Sequence, residues 1–245
     1  MTDREADKKS VIFLHGLASG PEVWTGLMEK IQGKYACYAP ELPGHGQAER
    51  MEVPGMDTLL AWLKGFMTQH DISRPVLVGH SIGGSLSLLY ACSEPDSYRG
   101  LIIVDARTGQ LLSQSRKETL LGMAVRDSRD FRQMSYTLMA ADPGDQERIV
   151  ERALTMREDQ FLGLYRDYLL RFNLQGQLSL IDKPALLFIS GVHLGYQQEE
   201  AFLRETGYRD IPWLEAVFCR KSRHFIMYDY RALFEKKASD FLEKL

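Results

Sequence analysis

Cysteine is scarce in this chain of 245 residues: Cys37, Cys92 and Cys219 are its three, an odd number scattered far apart. That spacing excludes a disulfide framework and a C-x-x-C metal or redox pair. Each sits among apolar neighbours, where a thiol serves as a small hydrophobe, so a reducing, cytoplasmic setting is expected. No apolar stretch precedes Ser10; the charged run from Met1 to Lys9 therefore reads as neither signal peptide nor membrane anchor. Excess charge is also lacking. Lys and Arg number 30 against 33 Asp and Glu, a net charge of −3, which gives no general attraction for nucleic acid or an anionic membrane. Repeats and low-complexity segments are absent, and the fingerprint G-x-G-x-x-G of dinucleotide folds does not occur.

What is present is an alternation of short apolar runs and amphipathic segments. Hydrophobic residues make up 44% of the chain and charged residues 26%, the composition of a soluble globular protein, and the length suits one large α/β domain. Val11-Ile12-Phe13-Leu14, Ala36-Cys37-Tyr38-Ala39, Pro75-Val76-Leu77-Val78, Leu101-Ile102-Ile103-Val104, Pro184 to Gly191 and Leu214 to Phe218 read as strands, the run from Pro75 to Val78 as one covered on both faces. Helical periodicity lies between most of them, as at Leu59, Leu60, Leu63, Phe66 and Met67. The alternation predicts a parallel sheet of about six strands. It breaks between Thr108 and Leu180, where several amphipathic helices and no strand are expected. The organisation predicted is a core of residues 1–107 and 181–245 with residues 108–180 inserted as a helical lid. In that block Asp142-Pro143-Gly144-Asp145 reads as a turn between two helices, and Met123, Met134, Tyr136, Met139, Phe161 and Tyr165 more as lid core than as pocket lining, with some of them facing whatever cavity exists. Between positions 107 and 180 ten Arg and one Lys face ten acidic residues, so an anionic substrate is not indicated. Asp229 is expected to cap the terminal helix, with Phe234, Ala238, Phe241, Leu242 and Leu245 as its buried stripe.

Gly79-His80-Ser81-Ile82-Gly83 joins a predicted strand to a predicted helix. A G-x-S-x-G turn in that context forces the serine oxygen into the open, and glycine on both sides supplies the room. Ser81 is therefore the candidate nucleophile. His15-Gly16-Leu17 ends the first strand in a glycine-containing turn that can offer backbone N–H groups to the same sheet edge. Glu22 puts negative charge where a phosphate would lie, which argues against a nucleotide there. His45 has no second ligand at metal spacing and reads as a loop histidine; no metal or cofactor is expected. His224 lies in a short basic loop before the last helix.

With Ser81, His15-Gly16 and His224 on this pattern, the chain resembles the α/β-hydrolase fold family over essentially its whole length. Leu42-Pro43-Gly44-His45-Gly46 and His224-Phe225-Ile226-Met227 are similar to phrases of its esterase-type members. The resemblance implies Ser81 as nucleophile, His224 as general base and then acid, and the backbone N–H groups of Leu17 and Ile82 as oxyanion hole. Independently, a serine hydroxyl needs a neighbouring imidazole to become nucleophilic, and the oxyanion it creates needs preorganised donors.

Two departures from the family pattern stand out. About ten residues precede the first strand, so the N-terminal hairpin is expected to be missing. The usual aspartate after the strand containing Phe188 is absent; that loop reads Gly191-Val192-His193-Leu194-Gly195-Tyr196. Some relatives place the acid one strand earlier, which here is Asp105, and a neighbouring strand is ~4.8 Å away. Asp210, Glu199 and Glu200 are the alternatives, as is no acid at all. The expected activity is cleavage of a carboxylic ester or related acyl compound through an acyl-enzyme, acting on a small molecule. A ligand receptor with slow or no turnover, a carbon-carbon hydrolase and the menaquinone-pathway lyase of the same fold stay open. The oligomeric state is not legible.

Overall fold

The computed structural model describes residues 8–109, 112–195 and 197–245. The charged start of the chain, two lid positions (Gln110 and Leu111) and Tyr196 lie outside the described residues. Six strands form one parallel sheet in the order β2-β1-β3-β4-β5-β6: β1 Ser10–Leu14, β2 Ala36–Tyr38, β3 Val76–His80, β4 Gly100–Val104, β5 Ala185–Ser190 and β6 Leu214–Cys219. Strands β3, β4 and β5 are buried at every position, as their uninterrupted apolar runs require of a sheet covered on both faces.

Helices surround the sheet: α1 Thr25–Ile31, α2 Met56–Gln69, α3 Ile82–Ser93, α4 Gln114–Arg126, α5 Ser128–Tyr136, α6 Pro143–Thr155, α7 Glu158–Leu170, α8 Gly191–Leu194, α9 Glu199–Glu205, α10 Ile226–Asp229 and α11 Arg231–Leu242. None is long and apolar enough to cross a membrane among the described residues. A file of rings ties α11 to the sheet: Phe13 to Trp24 at 5.7 Å, Trp24 to Phe234 at 6.1 Å and Phe234 to Phe188 at 5.1 Å between centroids. Burial of these four large side chains stabilises the domain by about 1.5–3 kcal/mol each for the transfer alone.

Strand order and register place the site. Leu14 is level with Gly79, His80 with Val104, and Val104 with Phe188. The residues following β1, β3, β4 and β5 therefore emerge side by side at the carboxyl edge, where open α/β sheets bind ligands. Ser81 and Asp105 each add one rung to the ladder, Ser81 N–H donating to Val104 O at 2.9 Å and Asp105 N–H to Phe188 O at 2.8 Å.

Three local expectations are corrected. Asp142 is not in a free turn but caps α6, its carboxylate accepting from Gly144 N–H and Asp145 N–H, with Pro143 in the first turn, where its missing N–H does no harm. Asp229 does not cap α11, whose N-cap is Tyr230; its carboxylate is drawn elsewhere, as described below. Met123 and Met134 are not lid core: they are 37% and 56% exposed, because the apolar faces of α4 and α5 that turn inward carry other residues.

Candidate active site

The turn from β3 into α3 holds Ser81 at φ 52°, ψ −119°, a backbone region that a non-glycine residue occupies at a cost of about 1–3 kcal/mol. Packing enforces it. A Cβ on Gly79 would lie 2.3 Å from Gly83 O, and one on Gly83 would lie 2.2 Å from Leu14 O, so the first turn of α3 presses directly on β1 and β3. Ala18 and Asp105 also carry positive φ, 52° and 51°. Backbone strain is thus concentrated in the loops following β1, β3 and β4, around one point of the sheet edge.

Asp105 is 1% exposed and surrounded by donors. His224 Nδ1 lies 2.6 Å from its Oδ2, Ser190 Oγ–H donates to Oδ2 at 2.8 Å, and Ser190 N–H donates to Oδ1 at 2.8 Å. His193 Nδ1 stands 3.3 Å from Oδ1. Burial by itself raises a carboxyl pKa, but the charge and hydrogen bonds of His193 and His224 outweigh it and hold Asp105 well below the usual carboxylate range. The loop after β5, which has no aspartate of its own, instead supplies three groups that hold the aspartate of β4. The other acids considered are elsewhere: Asp210 is exposed, Glu199 pairs with Arg220 at 2.8 Å and Glu200 with Arg209 at 3.2 Å.

The loop bearing His224 is braced on several sides. His80 Nε2–H donates to His224 O at 3.0 Å. Because His80 is buried and lies beside His224, its pKa falls to about 3, and it acts as a neutral donor. Asp229 accepts from Arg223 N–H at 2.6 Å and from Ala141 N–H at 2.7 Å, and Phe225 N–H donates to Met139 O at 2.9 Å. The segment between α5 and α6 is thereby clamped to the histidine loop.

On the other side, His15 joins two loops: its Nε2 accepts from Leu42 N–H at 3.0 Å, which leaves Nδ1–H to donate to Gly16 O at 2.9 Å. His45 is buried against it with ring centroids 4.9 Å apart, and burial lowers its pKa to about 4. It lies in a loop, as expected, and is buried there; no metal-holding group of three or more His, Cys, Asp or Glu occurs among the described residues. Tyr136 OH donates to Leu17 O at 2.9 Å, fixing that loop from α5. Ile82 opens α3, so its N–H is among the first four that have no intrahelical acceptor.

Ser81, His224, Gly16 and Leu17 line a cavity of about 270 Å³ whose walls include Tyr136, Met139, Phe161 and Tyr165. These four line the pocket, as expected of some of the six Met and aromatic residues singled out in this block. A second, more open hollow of about 550 Å³ shares Ser81 and His224 and adds Asp105, His193, Arg107 and Arg223. A cleft of about 480 Å³ beside α1, α6 and α11 includes neither Ser81 nor His224. Sequence reasoning named Ser81, His224, Asp105, Leu17 and Ile82, and the fold brings Ser81, His224, Asp105 and Leu17 around these two spaces. It missed His80, Ser190, His193 and Asp229. The one available signal was the polar pair Ser190 and His193 in a loop with no acid of its own.

A strained serine turn after β3, a histidine loop after β6 and a block of helices between β4 and β5 are arranged on one parallel sheet, and residues 9–186 match the family described as alpha/beta hydrolase fold. The chain belongs to that family. It is 30% identical over 139 residues to 2-succinyl-6-hydroxy-2,4-cyclohexadiene-1-carboxylate synthase of Serratia proteamaculans, covering 56% of this chain and 54% of that one. It is 30% identical over 112 residues to the protein of the same name from Salmonella agona, 46% and 44% of the two chains. The matched stretch spans about half the length of these curated relatives. Among solved structures, an esterase from Thermogutta terrifontis superposes with TM-score 0.83 at 19% identity over 96% of this chain and 90% of that one. MenH from S. aureus gives 0.80 at 20% over 96% and 94%, and the enol-lactonase from Burkholderia xenovorans 0.85 at 15% over 98% and 94%. At these identities the likeness is one of fold.

Proposed function

We propose that the protein is a serine hydrolase that cleaves a carboxylic ester or related acyl compound through an acyl-enzyme. The observation that carries this reading is the contact of His224 Nδ1 with the buried Asp105 carboxylate at 2.6 Å, beside a strained Ser81 that opens into an apolar cavity. Asp105 fixes the tautomer with Nδ1 protonated, so Nε2 is free to take the Ser81 proton. Ser81 Oγ then bonds to the acyl carbon and its carbonyl electron pair moves onto oxygen. The N–H groups of Leu17 and Ile82 receive that charge. His224 returns the proton to the leaving group as the carbon-oxygen bond breaks, and a water activated by the same imidazole releases the acid. The helices of residues 108–180 serve as a lid whose apolar side chains keep bulk water from the acyl group.

This reading is tested with a fluorophosphonate probe and a panel of aryl esters. Ser81 should be labelled, and Ser81→Ala should abolish labelling and turnover while leaving the far-ultraviolet circular dichroism unchanged. Labelling that persists in the variant removes Ser81 from its role.

A second reading rests on the 30% identity to the cyclohexadiene-carboxylate synthases: the same serine and histidine would then act on a carbon skeleton rather than an ester. It predicts formation of that product with no turnover of any aryl ester. The receptor reading drew its support from the missing acid, and the contact of Asp105 with His224 favours the enzyme over it.

A further inference from the structure

Arg107 follows Asp105 by two residues at the carboxyl end of β4, and its place is fixed by Ser85 Oγ–H donating to Arg107 O at 2.6 Å. Its side chain borders both the enclosed cavity and the open hollow that contain Ser81. Among the described residues, no other Lys, Arg, Asp or Glu is part of the wall of the enclosed cavity. A guanidinium carries five N–H donors. Among the described residues, the hydrogen bond Arg107 makes through them is Nη2–H to Gly109 O at 3.3 Å, and the group stands 5.5 Å from the Tyr168 ring centroid. No ion pair engages it among the described residues.

Arg132 shows how this fold satisfies a guanidinium it means to keep inside. That residue is 5% exposed and donates to the carbonyl oxygens of Ser128, Ala153 and Met156 at 3.1, 2.8 and 2.6 Å. The charges of the remote cleft are matched as well, Arg152 by Glu22 and Glu41 and Arg231 by Glu235. Arg107 is half-buried and has neither arrangement, so most of its donors are left for a ligand or water. Arg223, on the rim of the open hollow, likewise has no acidic partner for its side chain among the described residues; its Nη1–H donates to Leu138 O at 3.1 Å. Asp105 makes no ion pair with either arginine; its oxygens bond Ser190, His193 and His224 instead.

The geometry points to an acyl substrate that carries a carboxylate, held by Arg107 at the junction of the two spaces while the scissile carbonyl meets Ser81, with Arg223 making the entrance electropositive. The near balance of charge over residues 107–180 conceals this. Lid acids are spent on surface pairs such as Arg50 with Asp159 and Arg148 with Asp145, and the site is left net positive. This inference deepens the hydrolase reading and rests on it for the scissile bond, while the carboxylate subsite is measurable without turnover.

The test compares 4-nitrophenyl pentanoate with the mono-4-nitrophenyl ester of glutaric acid, equal in chain length and differing by a terminal carboxylate. The wild-type protein should prefer the anionic ester by about 10- to 100-fold in kcat/KM at low ionic strength, and the preference should shrink as salt is added. Arg107→Gln should collapse the ratio towards one, Arg107→Lys should keep part of it, and Arg223→Gln should lower it less and mainly weaken its salt dependence. In parallel, free glutarate should raise the melting temperature of the wild-type protein more than pentanoate does, and Arg107→Gln should remove that difference. A wild-type preference for the neutral ester, or an anionic preference untouched in a folded Arg107→Gln, overturns the subsite. If neither ester is turned over and no fluorophosphonate labelling occurs, the hydrolase reading has failed and the glutarate shift alone decides for or against Arg107.

Discussion

His224 Nδ1 and Asp105 Oδ2 meet at 2.6 Å although 119 residues separate them, and the same carboxylate is gripped by Ser190 from the neighbouring strand end. A carboxylate so held can only keep one imidazole tautomer. Asp105→Asn should therefore lower kcat for an aryl ester by a factor between about 10² and 10⁴, because the amide favours the wrong tautomer. Ser190→Ala, which removes one donor to the same oxygen, should cost about 1 kcal/mol of stability and far less rate. Measuring kcat and the urea midpoint on the same preparations separates the two effects, and an unaltered kcat in Asp105→Asn removes it from the catalytic set.

The elbow is set by contact as much as by conformation. Gly83→Ala would drive a Cβ to 2.2 Å from Leu14 O, a backbone atom that cannot swing aside, whereas nothing lies within 4 Å of a Cβ on Gly65, on the exposed face of α2. Gly83→Ala should lose about 3 kcal/mol or more, or fail to fold. Gly65→Ala should gain about 0.4–1 kcal/mol by restricting the unfolded chain. Denaturant melts check both, and equal effects at the two positions would contradict this account.

Buried neutral histidines make the fold acid-sensitive before most carboxylates titrate. His45, lowered to about 4, and His80, lowered to about 3, stay neutral when folded but bind a proton near pH 6.5 when unfolded. Between those values the unfolded state holds more protons, so stability that is full above pH 6.5 is lost as pH falls, by up to about 1.4 kcal/mol per unit for each histidine. Asp105 adds to the loss in the same direction at lower pH, because its depressed pKa stabilises the fold above about pH 4 and that contribution goes as the carboxylate is protonated. Melting temperature should drop between pH 6.5 and 5, and His45→Asn should flatten that slope. An unchanged slope would show that His45 is not one of the groups responsible.

Asp229 ties Arg223 N–H in the histidine loop to Ala141 N–H beside the lid helices. Asp229→Ala should let the loop drift and slow fluorophosphonate labelling of Ser81 by about 10- to 100-fold, with a smaller loss of stability. Labelling at the wild-type rate would mean that His80 and Met139 hold the loop unaided.

Local pattern made much of this legible. The apolar runs of β1, β3, β4 and β5 have no polar face to offer, so a doubly covered parallel sheet was the solution open to them. Glycines at 79 and 83 between a strand and a helix marked the elbow because a larger residue cannot stand there. Ser81 and His224 could be named because their motifs are contiguous. Asp105 could be offered only as one of several candidates, since what brings it to His224 is the adjacency of its strand β4 to β5 and β6 and the donors Ser190 and His193, which lie far from it in the chain. The same holds for Asp229: its position before a helix suggested a cap, yet two backbone N–H groups brought near by tertiary packing compete better for its carboxylate. Charge was the most misleading when read as a sum. Residues 107–180 are nearly neutral in composition, yet Arg107 has no counter-ion among the described residues, because which charges meet is decided by distance in space and not by count along the sequence.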